Sequence, residues 1–144
     1  MATGTTYGTN YTIAMTPTAS SFLDSAKWGG KVRSITEVYT SAVQVDSGSY
    51  IYVGQVPKGA IPLFSIISTA AGLAGAVTGT IGSLTTATLF GTFTSLNAAS
   101  TQTLVASAPN TPLTEDTEIL IVTGGANFAA AKTLHVKLFW TEHN

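Results

Sequence analysis

Residues 59–114 carry no charged side chain, and that run limits what the chain can fold into. So long a neutral stretch either enters a membrane or belongs to a fold whose surface is itself largely neutral. Residues 61–84 have the length of a membrane span, and Gly75-Ala76-Val77-Thr78-Gly79 matches the GxxxG pattern of packed membrane helices. The span fails on its chemistry. Pro62, Gly72, Gly75, Gly79 and Gly82, with many Thr and Ser, dilute its apolar content, and clustered basic flanks are missing. Alternation describes the run better: Val77, Gly79 and Ile81 fall on one side, Thr78, Thr80 and Gly82 on the other. Two strands, at 61–68 and about 75–84, joined by a loop of small residues, are therefore expected.

Composition supports a neutral surface throughout. Only 9% of the 144 residues are charged, 44% are hydrophobic, Thr with Ser adds roughly a quarter, and the formal net charge is −1. Ordinary domains are ~25% charged. The length fits one domain, able to bury ~68% of the surface its unfolded chain exposes. Six scattered Lys and Arg do not neutralise a phosphate backbone, so no nucleic-acid partner is expected. Glu, Lys, Arg and Leu are too scarce for a helical bundle, and low charge with high hydrophobicity opposes disorder of the whole chain. The absence of cysteine removes disulfides, thiolate metal sites and cysteine nucleophiles. The first residues lack a basic region followed by an apolar one, so no signal peptide is expected, and the Asn10-Tyr11-Thr12 sequon carries no weight. A surface so poor in charge suits a subunit of a larger assembly.

Along the chain, residues 1–27 are rich in Thr, Gly and Ser, with Tyr7, Tyr11, Ile13, Met15, Phe22 and Leu23 widely spaced and no helical stripe. They read as an extended arm ordered by a partner, or as a frayed terminus. Trp28-Gly29-Gly30 turns into a body at 28–144. There the pattern is strand and turn. Residues 31–45 are rich in Val, Ile, Thr and Tyr and break near Thr40-Ser41. Asp46-Ser47-Gly48-Ser49 is a turn, 50–56 a strand with Ile51 and Val53 opposite its tyrosines, and Pro57-Lys58-Gly59-Ala60 a second turn. Further β pattern follows at about 88–94 and 101–106. Residues 117–123 form a continuous apolar run, as in a strand buried on both faces. In 132–141, Leu134, Val136, Leu138 and Trp140 point inward and Thr133, His135, Lys137 and Thr141 outward, with Phe139 the exception. Eight or nine strands without a helix make an all-β chain, an antiparallel β-sandwich.

Catalytic constellations are missing. There are two histidines, His135 on the polar side of a strand and His143 beside the C-terminus, and no GxSxG elbow accompanies them. Glu115-Asp116-Thr117-Glu118 is the one acidic cluster; it reads as a solvated loop guarding the next strand, and as a calcium site it would need backbone carbonyls. Asp24, Glu37 and Asp46 lack the spacing of a glycosidase pair, and no phosphate-cradling Gly motif occurs. No catalytic residue, metal, cofactor or small-molecule substrate is expected. Tyr50, Tyr52, Phe90, Phe93, Phe128, Phe139 and Trp140 would serve either a sandwich core or a sugar-binding platform.

Gly29-Gly30-Lys31-Val32-Arg33 opening a strand, Ser49 to Ile61 as strand, Pro turn and strand (SYIYVGQVPKGAI), and the closing 132–141 strand together resemble small virion proteins of tailed bacteriophages. The likeness is to capsid decoration (cement) proteins with a jelly-roll β-sandwich, and it covers most of 29–141. It implies a jelly roll without enzymatic residues, made in the host cytoplasm and carried on the outer capsid surface. Its implied partners are the major capsid protein and copies of itself, as a homodimer or homotrimer, with no membrane. Tyr7, Tyr11, Ile13, Met15, Phe22, Leu23 and Trp28 become the interface candidates. A tail or head-fibre component and a carbohydrate-binding module remain the alternatives.

Overall fold

The computed structural model describes residues 31–108 and 111–142. The proposed arm, the Trp28-Gly29-Gly30 turn and His143 lie outside the described residues, so all seven interface candidates do as well. Eight strands follow one another: β1 (Lys31–Thr40), β2 (Tyr50–Val56), β3 (Ala60–Thr69), β4 (Val77–Gly82), β5 (Gly91–Phe93), β6 (Ser100–Val105), β7 (Thr117–Gly125) and β8 (Thr133–Glu142). They form two antiparallel four-stranded sheets, ordered β1-β8-β3-β6 and β2-β7-β4-β5. First and last strands pair along their whole length, from Lys31 opposite Glu142 to Thr40 opposite Thr133. Two interlocked Greek keys produce this order. The fold is a jelly roll.

The strand patterns explain the layers. In β8, Leu134, Val136, Leu138 and Trp140 enter the core, while His135 and Lys137 are exposed, as alternation requires. Phe139 faces outward too, and stacks on Phe64 of β3 with ring centroids 4.5 Å apart. β7 lies between β2 and β4, and Ile119, Leu120 and Ile121 are all buried. Ile119 and Ile121 join the core, whereas Leu120 points to the outer side beside Tyr52 and Gly82 and is still covered. The apolar run at 117–123 thus reflects burial on both faces. Between the sheets, Phe90, Phe93 and Phe128 supply the largest fully buried side chains.

Local chemistry sets where the strands stop. β1 ends at Thr40 because Ser41 turns away: its Oγ donates to the Ala129 carbonyl at 2.6 Å and its N–H to the Lys132 carbonyl at 3.0 Å. Beyond it the second piece of the 31–45 run keeps only the Val45–Phe128 bridge. The strand expected near 88–94 shrinks to the three residues of β5. Residues 83–90 are wound into a turn instead, with Ser83 N–H donating to the Thr86 carbonyl and Thr86 N–H to Ser83 Oγ, at 3.0 and 2.9 Å. Leu89 and Phe90 then anchor that loop in the core.

Two glycines separate close approach from turn geometry. A Cβ at Gly79 meets the Val122 carbonyl at 2.3 Å and Phe93 Cζ at 2.7 Å, whereas one at Gly48 meets nothing within 4 Å but sits at φ +89°. Gly79→Ala is expected to cost ~3 kcal/mol through overpacking. Gly48→Ala is expected to cost only ~1 kcal/mol through backbone strain. Urea unfolding of both variants measures the difference.

Candidate interaction surfaces

Each sheet turns alternate side chains of its strands outward, and few of these are charged. On the β1-β8-β3-β6 sheet the cross-strand rows run Ser34, Phe139, Phe64, Val105; then Thr36, Lys137, Ile66, Thr103; then Val38, His135, Ser68, Thr101. Lys137 is the one permanent charge in these rows. On the β2-β7-β4-β5 sheet the corresponding row is Tyr50, Val122, Thr80, Thr92. Of the large hydrophobics most exposed among the described residues, Val32, Val38 and Val105 belong to the first face and Tyr50 to the second.

Charge collects at one end of the sandwich. Lys31, Lys58, Glu115, Asp116, Glu118 and Glu142 lie where β1 and β3 begin, β7 begins and β8 stops. Arg33 pairs with Glu142 across β1 and β8 at 2.6 Å. The acidic cluster does more than solvate a loop, because Asp116 Oδ1 accepts the Lys58 N–H at 2.8 Å and so fixes the β2–β3 turn against the β6–β7 connection. At the opposite end four loops are tied together. Leu73 N–H donates to the Leu96 carbonyl, Ala129 N–H to that of Leu73, and Ala131 N–H to that of Ser41. Ala74 and Ala131 hold left-handed backbone there, at φ 60° and 57°.

No group of three His, Asp or Glu suited to a metal ion occurs among the described residues. His135 faces solvent, and its cross-strand neighbours are Val38 and Ser68, so no carboxylate stands beside it in the sheet. Four of the seven aromatics considered for a sugar platform, Phe90, Phe93, Phe128 and Trp140, are spent on the core. Tyr50 and Tyr52 lie on one sheet and Phe139 on the other, so these three do not join into a single platform. The outward Phe64–Phe139 stack and the exposed valines on the same face were missed in the sequence. The signal was present, since Phe139 broke the β8 pattern, but its partner depends on the β3–β8 register.

No protein-family model matches the sequence, and no curated protein does. Solved structures match the fold. A chain in the capsid of Ralstonia phage GP4 superposes with a TM-score of 0.64 at 20% identity, over 93% of this chain and 94% of that one. A chain in the capsid asymmetric unit of cyanophage Pam1 gives 0.57 at 18% identity, over 80% of this chain and 87% of that one. At these identities the shared property is the jelly roll itself.

The Asp116 contact gives a test of the charged end. Asp116→Ala removes an acceptor and is expected to cost ~1 kcal/mol in thermal or urea unfolding, while Asp116→Asn keeps the acceptor and most of the stability.

Proposed function

We propose that this chain is a structural virion protein of a bacteriophage, a decoration (cement) subunit that binds the outer surface of the head and bridges neighbouring major capsid proteins. The observation that carries the reading is the near end-to-end match to a chain of a phage capsid, 93% of this chain on 94% of that one. Coverage that complete on both sides means two chains of similar length. A second phage capsid holds a further chain of the same fold. The neutral outer faces fit the role, because charged side chains are depleted from the cores of lasting interfaces.

The mechanism needs no chemistry. Each copy that binds only the assembled shell stabilises it by mass action, and a subunit touching two capsid proteins gains further from the effective concentration of its second contact. A rigid sandwich suits such a clamp, since little ordering cost remains at binding. Residues 1–27 act in this reading as a strap across neighbouring capsomers, with Tyr7, Tyr11, Ile13, Met15, Phe22 and Leu23 as its contacts and Trp28, at the start of the body, as a further one. Self-association as a dimer or trimer follows the usual symmetry of such subunits.

Quantitative mass spectrometry of purified virions tests the role. Copy numbers comparable to the major capsid protein are expected. A handful of copies would reassign the chain to the tail or a head fibre, and absence from the particle would return the carbohydrate-binding reading. Removal of residues 1–27 is expected to abolish attachment to capsids while unfolding of the body stays cooperative; full attachment of the shortened chain would dismiss the strap.

A further inference from the structure

The two sheet faces are not equivalent. The outer face of β1-β8-β3-β6 exposes Val105, at 73%, directly beside the stacked Phe64–Phe139 pair, with Val32 one cross-strand row to one side and Val38 two rows to the other. Three strands of ten residues and one of six, at ~4.8 Å spacing and ~3.3 Å per residue, give this face an extent of ~570 Å². That approaches the ~800 Å² each partner contributes to a stable protein interface. Within this face Phe139, Phe64, Val105, Ile66 and Val38 are the apolar members of rows otherwise built from Ser, Thr, Lys and His, and an apolar cluster that no other described residue covers marks an interaction site.

Lys137 indicates what covers it. The residue lies near the middle of β8, an inner strand of the sheet, and is flanked in register by Thr36 and Ile66. Among the described residues it makes no ion pair, and the rows around it hold no acid. Stacking this face on a second copy about a two-fold axis that passes at Lys137 would set Lys137 against its counterpart across a sheet spacing of ~10 Å, with no compensating carboxylate. A different surface, apolar and flat with one carboxylate, satisfies both the valines and the lysine.

We infer that the outer face of the β1-β8-β3-β6 sheet seats on the capsid shell, against an apolar protein surface that presents a carboxylate to Lys137. This inference rests on the capsid reading above and specifies which side of the subunit faces the shell. The charged end of the sandwich then stays beside the contact, in solvent, where it keeps the free subunit soluble.

Binding of the full chain to capsids assembled without it provides the test. Val105→Asp and Lys137→Glu alter exposed positions and leave the core intact, and each is expected to weaken binding by roughly tenfold or more. Leu84→Asp, equally exposed at 67% but in the β4–β5 loop, is expected to bind as the unaltered chain does. Circular dichroism checks that all three fold. If the unaltered chain binds capsids and both face variants bind equally well, the face is misassigned while the capsid role stands. If the unaltered chain binds no capsid, both readings fall. Loss of self-association in the face variants, seen by light scattering, would give the face to a second copy. Rescue of Lys137→Glu by Asp24→Lys would give it to the chain's own N-terminal segment. Either result overturns the inference.

Discussion

Everything in the β1-β8-β3-β6 sheet depends on the C-terminal strand finding its place between the first and third. β8 holds Leu134, Val136, Leu138 and Trp140 in the core and supplies the ladder on which both neighbours hang. Its pairing with β1 brings Lys31 beside Glu142, a contact across nearly the whole described chain. Such pairing pays loop-closure entropy before any stabilisation is returned, so the jelly roll is a slow, cooperative fold whose sheets form together. The same insertion creates the outer row of Phe139, Lys137 and His135, which makes one strand responsible for both the core and the surface offered outside.

Neutral faces are the other side of that arrangement. Alternation sends one residue of every two outward, and in this chain the outward residues are Thr, Ser, Val and Phe far more often than Lys or Glu. Most of the charges that remain gather at the end carrying the β2–β3 turn and the β6–β7 connection, where Asp116 also fixes Lys58. A free monomer normally spreads charge over its surface, whereas a subunit covered in an assembly does not need to. The opposite end is stiffened by hydrogen bonds among four loops. The loop contacts make the body a compact block, and a rigid body loses little entropy when it binds a partner.

Some of this was legible in the sequence and some was not. β7 and β8 were read nearly to their ends, because a continuous apolar run and strict alternation are local signals that burial enforces. The Asp46–Ser49 and Pro57–Ala60 turns were legible for the same reason, as their residue types determine their backbone. β5 was overestimated, since Ser83 and Thr86 wind the preceding segment into a turn that competes with strand pairing. The sheet order was beyond any periodicity, because nothing local in β8 tells it to lie beside β1, and only the resemblance to decoration proteins pointed to a jelly roll. The fate of the aromatics was equally nonlocal. Phe90, Phe93 and Phe128 look no different in sequence from Phe139, yet three enter the core and the fourth meets Phe64 outside.

A reconstruction by electron cryomicroscopy of a virion containing this chain tests the central claim most directly. Density for a two-sheet sandwich on the outside of the head is predicted, with the β1-β8-β3-β6 face toward the shell and a capsid carboxylate near Lys137. Density confined to the tail, or a head surface with no such sandwich, would contradict it.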